Sequence, residues 1–309
     1  MNKCPITYEE CGNDKYSKKG LLLLSKKLLF LNDFPYTSQD QRDEALNMMS
    51  KISIQGVQPK LSVTLDVKNQ IFKLTDINGQ YILKPQHNYY TELPENEDLT
   101  MKMASLINIE TPIHGLIYSK DKSLTYFIKR FDRLDKNKKL SVEDFSQLSE
   151  LTRETKYDYT MEKIVKLIDS YCTFPALEKV KLFRLIIFSY LVGNEDMHLK
   201  NFSIINRNSK IELSPAYDLL NTTIILKNPK EEMALSISGK KSNLNYNIFV
   251  DYFAYKRLEL NTKSVENIFA KIKNSIEEWE LLIKKSFLSD KLKNDYLFLL
   301  EKRIKKLNL

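Results

Sequence analysis

Residues 193–202 (GNEDMHLKNF) bring acids, a histidine, a lysine and an asparagine within a few positions of each other. Phosphoryl transfer needs a carboxylate that accepts the proton of the attacking hydroxyl, and an amide oxygen that binds Mg²⁺ five residues later. Asp196 and Asn201 have this spacing, and His198 and Lys200 lie between them, within reach of a phosphate or of the nucleophile. The run therefore predicts a catalytic loop for phosphoryl transfer.

A further acid, Asp218, ends the run 213–218 (LSPAYD) after a short predicted strand. Phosphoryl transfer needs a second oxygen ligand for Mg²⁺ at such a point, and Mg²⁺ prefers oxygen donors. Taken singly, Asp196 and Asp218 are more readily explained as helix caps or turn acids, and Asn201 as a turn residue. Taken together, in this order and at this spacing, the three favour an Mg²⁺-dependent site.

A candidate phosphate loop lies at residues 52–62 (ISIQGVQPKLS), before the first predicted strand. Gly56 permits a close backbone approach to a ligand. The side chains that could donate hydrogen bonds to phosphate are Ser53, Gln55, Gln58 and Lys60. The run matches neither the P-loop pattern nor the Gly-rich pattern of protein kinases, and a polar turn before a strand is the alternative interpretation.

Lys84 ends the apolar strand pattern of residues 81–85 (YILKP). A lysine at this place can bind the α- and β-phosphates of a nucleotide, and Glu97 on the next predicted helix is its natural ion-pair partner. The alternative is a surface lysine on a strand.

Residues 127–133 (FIKRFDR) lie where predicted strands give way to predicted helices. The backbone of such a hinge can hydrogen-bond adenine, and Phe131 can cover the ring. Arg130 and Arg133 can instead pair with Asp132 and stabilise the hinge.

The elements that must position these residues change in type along the chain. Strand patterns are predicted at 61–67, 71–74, 81–83, 115–118 and 123–128, and helix patterns at 20–32, 39–50 and 97–107. Beyond residue 131 the patterns are helical at 142–151, 159–172, 177–192 and 262–309, with a strand pair at 202–205 and 211–213. This order predicts an α+β fold, with a β-rich lobe at 1–131, a helical lobe at 132–309 and a ligand in the crevice between them.

The bulk composition limits the functional classes. The chain has 309 residues and a formal charge of +8, which either serves solubility or attracts nucleotides, acidic proteins or nucleic acid. Its three cysteines are too few and too scattered for a disulfide framework, and no apolar segment has the length of a signal peptide or of a membrane span. We expect a cytoplasmic protein. Cys4 and Cys11 could form half of a metal site, but no second ligand cluster follows them.

Several runs resemble the HipA family of toxin–antitoxin kinases, and they occur in family order over residues 52–223. They are SIQGVQPKLS, YILKP, ENEDLTMKMA, FIKRFDR, VEDFSQL, NEDMHLKNFSI and LSPAYD. The resemblance implies a two-lobed, protein-kinase-like α+β fold and a serine/threonine protein kinase that uses ATP and Mg²⁺.

The resemblance also implies a role for each matching residue. Catalysis is assigned to Asp196, His198 and Lys200, and Mg²⁺ binding to Asn201 and Asp218. ATP binding is assigned to Ser53, Gly56, Val57, Gln58, Lys60, Lys84, Lys129, Arg130, Phe131, His198 and Tyr217. The family usually has an acid where Lys129 stands, so an adenine contact at Lys129 must come from its backbone.

Ser53 matches the family's autophosphorylated serine. Some short relatives have a second serine two residues later, where this chain has Gln55.

The resemblance further implies partners. HipA proteins have a sizeable N-terminal subdomain before the Gly-rich loop, whereas this sequence has only residues 1–51 there. It is therefore most similar to HipT, the short toxin of three-part systems. The implied partners are a small HipS-like protein and a HipB-like DNA-binding antitoxin. The implied substrate is an aminoacyl-tRNA synthetase, whose modification stops translation.

Two other functions remain compatible with the sequence. A small-molecule kinase could use the same phosphate machinery. A non-catalytic nucleic-acid-binding subunit would fit the positive charge, but no helix-turn-helix or RNA-binding motif supports it. We therefore expect neither direct nucleic-acid binding nor membrane binding.

Overall fold

The computed structural model describes residues 1–48, 58–134, 138–150, 156–226 and 229–309. The chain forms two compact units, each built from separate stretches of sequence. Unit 1 consists of Met1–Leu99, Pro112–Lys139 and Lys285–Leu288, and unit 2 of Thr100–Thr111, Leu140–Lys284 and Ser289–Leu309.

Unit 1 is built around a five-stranded antiparallel sheet with the order β2-β1-β3-β5-β4. Its strands are β1 (Leu61–Asp66), β2 (Ile71–Leu74), β3 (Tyr81–Lys84), β4 (His114–Tyr118) and β5 (Leu124–Lys129). The predicted strands of this region are all present, because alternating apolar residues such as Leu61 and Val63 face the buried side. At the turn before β3, a Cβ on Gly79 would lie 1.9 Å from Ser62 Oγ, so a larger residue would require the Ser62 side chain to move.

Three helices accompany this sheet: α1 (Lys18–Leu24), α2 (Ser38–Met48) and α3 (Leu93–Leu106), the last of which runs on into unit 2. The prediction of a helix over 20–32 is wrong in its second half, because α1 ends at Ser25, which is extended. Beyond it, the backbone N–H groups of Leu29 and Phe30 donate to Gln70 Oε1 at 2.7 and 3.1 Å. A distant side chain thus replaces the helical hydrogen bonds.

Unit 2 contains a three-stranded antiparallel sheet and most of the helices. Its elements are β6 (Val142–Asp144), α4 (Phe145–Leu148), α5 (Met161–Tyr171), α6 (Pro175–Leu191), a 3₁₀ turn (Leu199–Asn201), β7 (Ser203–Arg207), β8 (Lys210–Leu213), a π-helix (Ile248–Arg257), α7 (Thr262–Lys273), α8 (Ile276–Lys285) and α9 (Asp290–Lys306). The sheet order is β6-β7-β8.

The prediction of a helix over 142–151 is wrong in its first three residues. Residues Val142–Asp144 form a strand, because they pair with Ile205, Ile204 and Ser203 of β7. The helix starts only after Asp144, which forms a capping box with Gln147: each side chain bonds the other residue's backbone N–H.

The predicted α+β class is confirmed by this sequence of elements. The helices that can be described are too short or too polar to cross a membrane. The fold thus places Lys84 at the end of β3 in unit 1, and the predicted catalytic loop between α6 and β7 in unit 2.

Candidate active site

The predicted catalytic loop leaves α6 at Gly193. This residue has a φ of +72°, a conformation that L side chains rarely adopt, and a Cβ there would lie 2.5 Å from Leu299 and 2.6 Å from Thr223. The carbonyl of Gly193 accepts hydrogen bonds from the backbone N–H groups of Thr222 and Thr223, at 3.0 and 3.2 Å. Glycine therefore lets the loop start lie directly against the segment that follows Asp218.

Asp196 and Asn201 are joined by a local hydrogen bond. The carbonyl oxygen of Asp196 accepts the side-chain Nδ2 of Asn201 at 2.7 Å and the backbone N–H of His198 at 2.8 Å. This fixes the two residues whose five-residue spacing predicted the site. The carboxylate of Asp196 is 43% exposed.

His198 lies beside this carboxylate. Its Nε2 is 4.0 Å from Asp196 Oδ1, and its side chain is buried. Burial lowers the pKa of His198, while the negative charges of Asp196 and Asp218 oppose that effect and Lys156 adds to it. His198 is therefore neutral near pH 7. Within the described parts of the chain, its buried Nδ1 has no hydrogen-bond partner, which leaves that atom for a group that the protein itself does not supply.

Asn201 and Asp218 are suitable ligands for Mg²⁺. The Nδ2 of the buried Asn201 is bound to Asp196, and the structure records no hydrogen bond from any described residue to its Oδ1. Asp218 has a φ of +59°, which is unusual for a residue other than glycine. Tyr217, the residue before it, donates its hydroxyl to the carbonyl of Lys200, so Asp218 lies near the loop. An amide oxygen and a carboxylate are few but hard donors, as Mg²⁺ prefers when phosphate completes its coordination.

The described residues hold no cluster of three or more histidines, cysteines or acids that could bind a metal by themselves. For Cys4 and Cys11, the structure therefore adds no ligand cluster to the half-site considered from sequence.

Tyr217 fixes the segment that ends at Asp218. Its hydroxyl donates to the carbonyl of Lys200 at 2.8 Å and hydrogen-bonds Ser203 Oγ at 2.5 Å. Burial raises the pKa of Tyr217, which keeps it a hydrogen-bond donor. The structure therefore places this predicted nucleotide contact between the catalytic loop and Asp218.

Lys200 has a partner within unit 2. Its Nζ lies 3.1 Å from Asp144 Oδ2, on the residue that caps α4. Its side chain is about a third exposed, so the ammonium group is held at the loop rather than directed freely into solvent.

An ion pair that the sequence did not reveal holds the loop from the far end of the chain. Arg303, in the last turn of α9, lies 3.0 Å from Glu195 Oε1, and both side chains are almost fully buried. Glu195 also accepts the Thr223 hydroxyl at 2.7 Å. Arg303 donates to the carbonyl of Tyr190 and lies over its ring. In the sequence, Arg303 is one of many basic residues in the helical pattern over 262–309, and nothing in that pattern distinguishes it.

Tyr157 is the second residue that sequence reasoning missed. Its hydroxyl donates to Asp196 Oδ1 at 2.5 Å, and its ring packs edge-on against His198 with centroids 5.2 Å apart. It lies 39 positions before Asp196, outside every run that indicated chemistry.

In unit 1, the predicted pairing of Lys84 with Glu97 is confirmed. Lys84 Nζ lies 2.5 Å from Glu97 Oε1, and the two side chains are 5% and 0% exposed. Lys84 ends β3 opposite Tyr126 of β5, whose ring centroid lies 5.6 Å from the ammonium group. Glu97 comes from α3, so the pair joins the sheet to that helix.

The predicted hinge is tied into unit 1 by its own backbone. The N–H of Lys129 donates to Ile113 at 2.7 Å and that of Arg130 to Gln80 at 2.8 Å. The Arg130 guanidinium binds Asp132 through two hydrogen bonds of 3.0 and 2.9 Å, and Arg133 lies 3.7 Å from the same carboxylate. The arginines thus pair with Asp132, the alternative left open from sequence. Phe131, the residue predicted to cover adenine, lies between Arg130 and Asp132 in the chain.

The candidate phosphate loop is only partly described. The predictions for Ser53, Gly56 and Val57 lie outside the described residues. Gln58 is partly buried and Lys60 is exposed at the start of β1.

Residues 52–279 match the HipA-like C-terminal domain family. The chain belongs to this family. It is 30% identical over 239 residues to a putative kinase of Haemophilus influenzae, a match that covers 72% of this chain and 69% of the relative. It is 24% identical over 211 residues to the serine/threonine-protein kinase toxin HipA of Shewanella oneidensis, covering 62% of this chain and 47% of that protein. The sequence match thus covers about half the length of that HipA.

Solved structures of low identity show the same fold. The chain resembles HipA of Shewanella oneidensis, solved with HipB and operator DNA, at a TM-score of 0.71 and 17% identity, over 89% of this chain and 72% of that one. It also resembles the Helicobacter pylori proinflammatory kinase CtkA at a TM-score of 0.56 and 16% identity, over 76% of this chain and 90% of CtkA. The HipA-like, kinase-like fold expected from the sequence is thereby confirmed.

Proposed function

We propose that this HipA-family chain is an ATP-dependent serine/threonine protein kinase. The observation that carries the proposal is the joined pair Asp196 and Asn201, with Asp218 held near the same loop by the hydrogen bond from Tyr217 to Lys200. These are the residue types and spacing that phosphoryl transfer requires. The relatives named as kinases support the same conclusion.

In the proposed reaction, the exposed carboxylate of Asp196 accepts the proton of the acceptor hydroxyl and orients its oxygen. Asn201 and Asp218 would hold Mg²⁺, which would neutralise negative charge on the phosphates. Lys84, kept in place by Glu97, binds the α- and β-phosphates of ATP. Neutral His198 offers its buried nitrogen to the phosphate side, and Lys200 adds positive charge next to it. Positioning and electrostatics provide most of the rate in such a site.

The remaining ATP contacts are proposed from the resemblance. The hinge residues Lys129, Arg130 and Phe131 contact adenine. The phosphate loop contributes Gly56, Val57, Gln58 and Lys60, and Tyr217 completes the nucleotide contacts by holding Asp218 in place.

We further propose that the chain is the toxin of a toxin–antitoxin system, of the HipT type. A HipB-like DNA-binding antitoxin and a small HipS-like protein are its proposed partners, and an aminoacyl-tRNA synthetase is its proposed substrate. The structure of the Shewanella HipA with HipB and operator DNA supports the first of these partners.

Ser53 is the proposed site of self-phosphorylation. A phosphate there would add about −1.5 to −2 charges beside the place of the ATP phosphates and would repel them. We therefore expect phosphate on Ser53 to weaken ATP binding.

The test is the intact mass of phosphatase-treated protein before and after incubation with Mg-ATP. The wild type should gain phosphate, and Asp196→Asn and Ser53→Ala should not. Asp251→Asn serves as the control, since Asp251 is an exposed acid of the same unit. A protein that neither binds ATP nor gains phosphate would contradict the kinase proposal. Phosphate gain in Ser53→Ala would move the modified site elsewhere.

A further inference from the structure

Tyr157 makes the same hydrogen bond to Asp196 that a substrate hydroxyl would have to make. Its O–H donates to Asp196 Oδ1 at 2.5 Å. In the proposed reaction, the acceptor serine or threonine must donate its O–H to this carboxylate before the proton is transferred. A hydroxyl of the chain itself therefore already donates to one of the two carboxylate oxygens to which a substrate hydroxyl would donate.

The contacts of Tyr157 hold its hydroxyl at this place. Its ring packs edge-on against His198, and Lys156 Nζ lies 4.8 Å from the ring centroid. The carbonyl of Lys156 accepts the N–H of Leu199, which joins this segment to the catalytic loop. Burial and the charge of Asp196 raise the pKa of Tyr157, so the phenol keeps its proton near neutral pH.

The side chain of Tyr157 can also leave. It is 38% exposed, so turning the ring into solvent would not leave a cavity in a packed core. In this respect it differs from Tyr217, whose hydroxyl is held by hydrogen bonds to both Lys200 and Ser203.

We propose that Tyr157 is an internal competitor for the acceptor site: its hydroxyl occupies Asp196 until a protein hydroxyl displaces it. This inference rests on the proposed function of Asp196 as the residue that receives the acceptor proton. It makes Tyr157 a residue that controls entry of the acceptor and leaves ATP binding unaffected.

The proposal differs from two other roles for the same contact. If Tyr157 only held Asp196 in its rotamer, its removal would slow phosphoryl transfer. If Tyr157 were itself an acceptor, phosphate would appear on its oxygen.

The first measurement is the rate of self-phosphorylation, followed by intact mass under saturating Mg-ATP. Tyr157→Phe keeps the ring and removes only the hydroxyl. We expect it to gain phosphate about tenfold faster than the wild type, because a hydrogen bond to a charged group is worth about that factor in an equilibrium. The KM for ATP should not change. Tyr159→Phe is the matched control, because the Tyr159 ring packs against Lys163. This substitution should leave the rate of phosphate gain unaltered.

An equal or slower rate in Tyr157→Phe would overturn the competitor role. So would phosphotyrosine at position 157 in the wild type, found by peptide mapping.

The second measurement does not need catalysis. 3-Fluorotyrosine is incorporated at position 157 of the full chain, and its fluorine NMR signal is compared between the wild type and Asp196→Asn. We expect the signal to shift, because the substitution removes the charge that the phenol contacts. An unchanged signal would overturn the contact, and with it the proposal. A shifted signal with no phosphate gain in any variant would instead overturn the proposed kinase function and the competitor role together.

Discussion

Gly193 is the residue at which the chain turns from α6 into the predicted catalytic loop, and any other residue type would be strained at this position. The left-handed backbone there has a cost for any L side chain, and a Cβ would also collide with Leu299, Thr223 and Asn221. Both penalties fall on the residue that sets the direction of Asp196. The start of the loop therefore depends on the absence of a side chain at residue 193.

We predict that Gly193→Ala destabilises the protein and abolishes phosphate gain. Gly239→Ala is a matched control, because Gly239 has a φ of +73° but nothing within 4 Å of its Cβ position. The control should lose about 1–2 kcal/mol of unfolding free energy from backbone strain alone. Gly193→Ala should lose clearly more, because backbone or side chains must also move. Urea denaturation measures both, and equal losses would show that the neighbours yield without cost.

At the scale of elements, the sequence carried local information well and distant contacts poorly. Alternation placed β1, and a continuous apolar pattern placed α6 within a few residues of its bounds. The end of α1 depends on Gln70, and β6 depends on pairing with β7, so no local pattern could set them.

The candidate site follows the same rule. The Asp196–Asn201 spacing and the Lys84–Glu97 pair could be predicted because each lies within a short stretch or follows a known pairing. Arg303 and Tyr157 reach the loop from 108 and 39 positions away, and only the folded chain brings them there.

The ion pair between α9 and the catalytic loop gives a prediction at this scale. Arg303→Ala leaves the buried carboxylate of Glu195 without its charged partner, and burial already raises the pKa of Glu195. Breaking such a pair typically costs about 3–5 kcal/mol. We expect a loss of that order in urea denaturation, with slower phosphate gain.

Lys305→Ala is the control for this substitution. Lys305 lies on the same helix and pairs with Glu301 at the surface, so its loss should change the unfolding free energy by less than about 0.5 kcal/mol. Arg303→Lys, which keeps the charge but not the two-pronged geometry, should fall between the two. A loss of unfolding free energy in Arg303→Ala no larger than that in Lys305→Ala would show that the Arg303–Glu195 ion pair does not stabilise the protein.

At the scale of the whole molecule, the net charge of +8 bears on how the chain meets nucleic acid. Charge alone gives binding that is independent of sequence and dominated by phosphate contacts. The Shewanella HipA relative was solved with HipB and operator DNA together, so the presence of DNA in that complex does not require contact by the kinase chain. A kinase with a basic surface and a nucleic-acid-binding subunit therefore differ in how their DNA binding responds to salt.

We predict that the isolated chain binds a random-sequence DNA duplex only at low salt. Between about 50 mM and about 200 mM salt, binding that rests on several phosphate contacts should fall by about three orders of magnitude. Fluorescence anisotropy measures this binding. Asp196→Asn should bind DNA about as well as the wild type, because it changes a net charge of +8 by only one unit. Phosphate gain, which depends on groups held within the folded units, should persist at the higher salt. Tight, sequence-selective binding that survives at about 200 mM salt would instead favour the nucleic-acid-binding class, and phosphate gain lost in parallel with DNA binding would link the two activities.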